Sequence, residues 1–228
     1  MTMQKLEKLL LQSSQNIPRC TSYPLANHFK MGEGKRLAEK LWDAARSIHD
    51  LSIYIHIPYC DRLCWFCGCH TKHKLSYDPI AQYVNSLTRE IELFTREIGF
   101  RKRIAKVHLG GGSPSMLKLR EFFDIRYALD RFGTMDQLSE ISVEIDPSDV
   151  SAETIINLQV FGLTRASIGV QDFDPAVQAA ISRPQTFEAT LRSLKCCAPL
   201  EYRCSISMLY TACHCKHSRG YKVRFQKS

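Results

Sequence analysis

The chain has 228 residues, enough for one large domain or two small ones, and its 44% apolar and 24% charged residues are those of an ordinary globular protein. Its formal net charge of +8 and 10 cysteines are the two departures, the first inviting a nucleic-acid reading and the second a disulfide or metal reading. No stretch approaches the ~20 apolar residues of a membrane span, and the N-terminus MTMQKLEKLLLQSSQ lacks the long apolar core of a signal peptide. A secreted disulfide scaffold is therefore not expected, and this much thiol in a cytoplasmic chain points to metal or redox chemistry.

Both departures are uneven. Residues 196–228 hold six Lys/Arg against the single acid Glu201 and five of the ten cysteines, leaving residues 1–195 with 25 basic and 22 acidic residues. The net charge describes the last 33 residues more than the whole, so nucleic-acid binding is not expected.

The N-terminal 50 residues offer one helix over about 35–48. From there to about residue 195, short β-rich runs alternate with longer amphipathic stretches. LSIYIHI (51–57), AKVHLG (105–110), ISVEID (141–146) and RASIGV (165–170) read as strands, each rich in Ile and Val and closed by Pro or Gly. Between the first two, Ile80, Tyr83, Val84, Leu87, Ile91, Phe94 and Ile98 repeat with helical spacing, Asp78 can cap that helix, and Pro79 suits its first turn. Further helices are expected over 116–131, ending near Gly133, and over 151–161, ending at Gly162. Strand–helix repeats of this size imply a parallel sheet, either an open doubly wound sheet or an incomplete (β/α) barrel. CSISML (204–209) can supply a fifth strand, after which no periodicity remains.

The first strand runs into PYCDRLCWFCGC, placing Cys60, Cys64, Cys67 and Cys69 within ten residues. Structural zinc sites usually draw two ligand pairs from separated segments, whereas one compact loop more readily wraps three corners of an iron–sulfur cubane and leaves one iron open. Gly110-Gly111-Gly112-Ser113-Pro114 follows the second strand. Such a run lets backbone approach a ligand closely, but a tight strand-to-helix turn needs glycines as well. Glu144 lies inside the third strand, where a carboxylate is costly unless it faces a polar cavity or sits at the sheet's edge. Gln171 ends the fourth strand and Arg183 follows a short helix, and each alone is a weak signal. His56 and His108 belong to strands and His70 and His73 to a loop, so none is read as a metal ligand. Cys213-His214-Cys215-x-His217 lacks a scaffold to hold ligands.

Taken together, Cys60-x3-Cys64-x2-Cys67 with Phe66 before the third cysteine resembles the signature of the radical S-adenosylmethionine (SAM) superfamily. The longer string SIYIHIPYCDRLCWFCGC, with PRCTSYP upstream and GGGSP, EIDP, SIGVQDF and SRPQ following in order, is similar to the oxygen-independent coproporphyrinogen III oxidase family over residues 17–195. The resemblance implies an α/β fold, a partial (β/α) radical SAM barrel incomplete at the C-terminus. It divides the chain into an N-terminal segment (1–50), the partial barrel (51–195) and a divergent, disordered tail (196–228). It implies a [4Fe–4S] cluster on Cys60, Cys64 and Cys67, with one SAM chelating the open iron. Tyr54, Phe66, Gly111, Gly112, Ser113, Glu144, Gln171 and Arg183 become SAM contacts, and the family binds two SAM molecules.

The implied reaction is radical oxidative decarboxylation of two propionate side chains of coproporphyrinogen III to vinyl groups, giving protoporphyrinogen IX, in a cytoplasmic monomer served by an electron donor and without nucleic-acid or membrane partners. The alternative is an inactive product or a haem- or cluster-binding fragment of the same superfamily. The likeness lapses near residue 202: Ser207 stands where family members carry an aspartate toward the second SAM, and Thr211 follows Tyr210 where they carry glycine. The chain is read as truncated relative to the family, its basic, Cys-rich tail as foreign to it.

Overall fold

The computed structural model describes residues 34–65, 67–74, 76–98, 101–197 and 203–208, with 195–197 and 203–208 as backbone alone. Its elements follow the expected alternation: α1 (Gly34–Ser47), β1 (Asp50–Ile57), β2 (Tyr59–Cys60), β3 (Lys72–His73), α2 (Asp78–Ile98), β4 (Lys102–Gly111), a 3-10 turn (Pro114–Met116), α3 (Leu119–Phe132), β5 (Gly133–Thr134), β6 (Glu140–Ile145), α4 (Ala152–Phe161), β7 (Arg165–Val170), α5 (Pro175–Ala180), α6 (Phe187–Cys197) and β8 (Arg203–Met208). The chain clusters into two units, residues 1–40 and 41–228, and only 34–40 of the first are described.

The main sheet is parallel in the order β1-β4-β6-β7-β8, with the short β5 against β4. Each long strand lies beside the previous long one and the order never reverses. A doubly wound sheet reverses at a switch point, so this succession decides the open alternative in favour of a partial barrel. Parallel neighbours need a crossover, and helices α2, α3, α4 and α6 supply it.

One face of the sheet is apolar and covered. Ile55, Ile57, Val107, Leu109, Val143, Ile145, Ala166 and Ile168 are buried. They alternate with Tyr54, Lys106, Glu144 and Arg165, which are exposed on the other face. Against the apolar face, α2 lays Ile80, Val84, Ile91 and Ile98, α3 lays Phe122, Ile125 and Leu129, and α4 lays Ile155, Leu158 and Phe161. The Phe122 and Phe161 rings meet at 5.2 Å between centroids. Helix α4 starts on a Ser151–Thr154 capping box and stops at Gly162, whose φ of +94° suits a residue without a Cβ.

One detail departs from the sequence reading. The helix expected from 116 begins only at Leu119, because Leu117 is extended and buried and the preceding turn is a separate 3-10 segment. Lys102 is buried, its Nζ donating to the carbonyls of Arg46 (2.8 Å) and Ile48 (2.6 Å) at the end of α1. Regular structure runs through the end of α6 and into β8, where the sequence offers a fifth strand over 204–209. There the Ile- and Ser-rich run pairs in parallel register with β7. Residues 1–33 and 209–228, including Cys20 and most of the basic tail, lie outside the described residues. Among the described residues no helix is long and apolar enough to cross a membrane.

Candidate functional site

The loop after β1 is tied at its base by the β2–β3 ribbon. There Lys72 N–H donates to the Pro58 carbonyl (2.7 Å) and Lys74 N–H to that of Cys60 (3.3 Å). Between those ties Cys67 N–H closes a turn onto Cys64 O (3.1 Å), and Trp65 N–H reaches across to Ile181 O (3.1 Å). Cys60 and Cys64 are half-buried and Cys67 and Cys69 exposed, none of the four in a disulfide. Burial pushes the Cys60 thiol up to about 11, with the nearby Cys67 adding to the rise, and burial also raises Cys64 while Arg183 opposes it. The protein by itself does little to make these thiolates, so a bound cation would have to draw off their protons. Among the described residues no three His, Cys, Asp or Glu side chains converge tightly enough to hold a single metal ion.

Behind the loop, the glycine run continues β4 along β1. Gly112 N–H donates to Ile57 O (2.8 Å) and Ser113 N–H to Tyr59 O (2.7 Å). Ser113 is buried beside the Cys60 thiol and the Asp149 carboxyl. At Gly111 φ is +107°, and a Cβ there would lie 2.5 Å from the His56 ring, so glycine is required twice over.

On the open face of the sheet, Gly111 N–H donates to Glu144 Oε2 (3.2 Å), and His108 Nε2 stands 3.4 Å from Glu144 Oε1. Glu144 belongs to β6, between β4 and β7, so its carboxylate projects from the middle of the sheet and not from an edge. Tyr54 stacks on His108 (5.7 Å between centroids), and its hydroxyl bonds to His56 Nδ1 (3.0 Å). His56 Nε2 meets the His70 carbonyl at 2.8 Å. A carbonyl only accepts, so Nε2 carries the proton and Nδ1 accepts from Tyr54. Burial raises the Tyr54 phenol, and the neighbouring Glu144 charge adds to the rise. The two histidines, read from sequence as plain strand positions, thus form part of this wall. The signal was available, since they share strand parity with Tyr54 and Glu144.

A second cluster stands past β7. Arg183 Nη2 lies 2.8 Å from Asp146 Oδ2 and 3.3 Å from Gly169 O, and its Nη1 lies 3.7 Å from Cys64 Sγ. A Cβ on Gly169 would touch both Arg183 Nη2 and Gln171 Nε2, which places those two side chains side by side. Gln171 Oε1 and Arg183 Nε are buried without a hydrogen-bond partner.

The model of the radical SAM superfamily matches residues 54–211 of this sequence. The chain belongs to the radical SAM superfamily. Among curated relatives, oxygen-independent coproporphyrinogen III oxidase of Cereibacter sphaeroides is 38% identical over 176 residues, 77% of this chain and 39% of that protein. The protein of the same name from Bradyrhizobium diazoefficiens is 39% identical over 180 residues, with the same coverage of 77% and 39%. The solved coproporphyrinogen III oxidase of Escherichia coli, described as a radical SAM enzyme, superposes with a TM-score of 0.72 at 30% identity, covering 87% of this chain and 44% of that one. The chain thus spans about two fifths of the length of the curated relatives it matches.

A radical SAM protein implies a [4Fe–4S] cluster and SAM, and the residues present fit both. The three motif cysteines lie on one tied loop. The partnerless Gln171 Oε1 and Arg183 Nε are the kind of buried polar atoms a polar ligand satisfies. Of the expected residues, the fold brings Tyr54, Gly111 and Glu144 together on one wall and Cys64, Gln171 and Arg183 together on the other. Gly112 and Ser113 are turned behind the cysteine loop, against the Ile57–Tyr59 backbone and Asp149. Phe66 lies outside the described residues. Sequence reasoning missed Asp146 and Gln185, both buried, although each stands in a string that carried the resemblance.

Proposed function

We propose that this chain carries the cluster- and SAM-binding part of an oxygen-independent coproporphyrinogen III oxidase. The observation that supports it most is the convergence, at the C-terminal ends of neighbouring parallel strands, of the thiol loop, Glu144 and the pair Gln171–Arg183. Parallel α/β folds put their chemistry at those ends. When bound, a reduced cluster and SAM supply hydrogen-atom abstraction, here from a propionate side chain that then loses CO2 and one electron to become a vinyl group.

The protein's own share is binding and orientation. Cys60, Cys64 and Cys67 would hold the cluster. Gln171 and the free edge of the Arg183 guanidinium bind polar groups of SAM, and Glu144, already gripped by Gly111 N–H and His108, accepts from hydroxyls. Tyr54, stacked on His108, gives the adenine or the substrate a flat wall.

The reading extends to a second SAM, to a one-electron donor, and to a monomeric cytoplasmic protein without nucleic-acid or membrane partners. Ser207, in register with Gly169 on β8, offers no carboxylate where the family places one for the second SAM. Equilibrium binding to the reconstituted chain tests the count, with two SAM expected and one refuting it. Anaerobic reconstitution with iron and sulfide, followed by dithionite, SAM and coproporphyrinogen III, tests the activity. The proposal requires 5′-deoxyadenosine and methionine, with CO2 released from the porphyrinogen. A stable cluster with no SAM cleavage leaves only a cluster-binding fragment.

A further inference from the structure

Arg183 is held more firmly than a ligand contact alone requires. Its partner Asp146 is itself fixed, Oδ1 accepting from Gln185 Nε2 (3.1 Å), from Ser148 N–H (3.0 Å) and from the Ser148 hydroxyl (2.5 Å). Gln185, 1% exposed, also donates to Gly169 O (2.9 Å), and its Oε1 accepts from Gln171 N–H (3.2 Å). Gln185 therefore braces both the carboxylate and the carbonyl that receive Arg183 Nη2. The backbone leading into Arg183 is constrained as well. Ser182 has a φ of +54°, a conformation that a residue with a Cβ rarely adopts. It is kept there by Ser182 N–H to Ala179 O (3.2 Å) and Arg183 N–H to Gln178 O (2.9 Å). The same turn grips the cysteine loop twice, through Ile181 O to Trp65 N–H and through Arg183 Nη1 to Cys64 Sγ.

We propose that Asp146 and Gln185 are positioning residues that fix the Arg183 fork so that one arm donates an N–H···S hydrogen bond to Cys64, and that this bond sets the electron affinity of the cluster held there. The inference rests on the cluster reading given above. A ligand sulfur carries more negative charge when its cluster is reduced, so a donor and a positive charge at Cys64 favour the reduced state. The planar guanidinium can face Asp146, Gly169 O and Cys64 at once, and a lysine ammonium cannot take that shape.

The test is a potentiometric titration of the reconstituted chain without SAM, so that lost SAM contacts do not enter, with iron and sulfide measured for every variant. Arg183→Met should lower the reduced-to-oxidised ratio at the wild-type midpoint about tenfold, which is about 59 mV for one electron. Arg183→Lys, which keeps the charge and loses the fork, should move most of the same way. Asp146→Asn should also lower the potential, and should add nothing in the Arg183→Met background, because Asp146 acts through Arg183. Asp146→Asn raising the potential, or shifting it equally in both backgrounds, would mean that its charge acts on the cluster directly and overturns the inference. An unmoved potential in Arg183→Met or Arg183→Lys overturns it too, and Arg183→Lys decides if Asp146→Asn takes up no cluster. A wild-type chain that binds no cluster overturns this inference and the proposed function together, whereas a cluster with unmoved potentials overturns the inference alone.

Discussion

Asp149 closes the back of the cysteine loop, and its replacement by Asn should change the pH dependence of stability in a defined window. The side chain is 11% exposed, 3.8 Å from Arg62, with Oδ2 lacking a partner. Burial raises its carboxyl from 3.8 to about 6, helped by the charges of Asp146 and Asp61 and resisted by Ser113 and Arg62. An acid whose value is raised by folding binds its proton more tightly in the folded chain, so stability falls as pH rises from about 4 to about 6 and is level above that. At about 1.4 kcal/mol per pH unit the whole effect is roughly 3 kcal/mol, of which about 2 kcal/mol falls between about pH 4.5 and 7.5. Asp149→Asn removes this titration and leaves every other group in place. Urea unfolding of the reduced, metal-free chain at those two pH values should show the variant gaining about 2 kcal/mol on wild type at the higher pH. Parallel pH profiles for the two proteins would refute the assignment of a buried, proton-binding carboxyl behind the loop.

Gly111→Ala should destabilise the chain by about 2 kcal/mol or more, through the positive φ and the contact with His56, and should weaken SAM binding further. Unchanged denaturation and SAM titration would contradict the tight packing of Gly111 on His56. Alanine at Cys60, Cys64 or Cys67 should each abolish cluster retention, while Cys69→Ala should keep it, measured as iron and sulfide per chain. Phe122→Ala, which empties a fully buried position against Phe161, should cost about 3–5 kcal/mol in chemical denaturation. A loss below about 1 kcal/mol would place Phe122 outside the core.

What was legible in the sequence is what a short period or a short spacing encodes. The face Ile80–Val84–Ile91–Ile98 is spaced by one or two helical turns, and runs such as LSIYIHI and RASIGV alternate buried with more open positions, so elements and faces follow from sequence. The thiol loop follows from spacing alone, because all its cysteines lie on one tied segment. The strand order that excludes a doubly wound sheet is a long-range property that no local pattern carries. Contacts between distant loops are hidden for the same reason. Asp146 and Gln185 meet across 39 residues, and Lys102 ends a helix 54 and 56 residues earlier. Leu117 shows the converse case, in which a locally helical stretch starts late because one apolar side chain is buried with its backbone extended.

The central claim is that Cys60, Cys64 and Cys67 hold a [4Fe–4S] cluster whose open iron takes SAM beside Gln171 and Arg183. The most direct measurement is electron paramagnetic resonance of the anaerobically reconstituted, dithionite-reduced chain, recorded before and after adding SAM. The account predicts a [4Fe–4S]+ signal whose g-values move when SAM is added, and a loss of that movement in Gln171→Ala with the cluster retained. A chain that binds zinc or no metal, or a cluster signal indifferent to SAM, would contradict it.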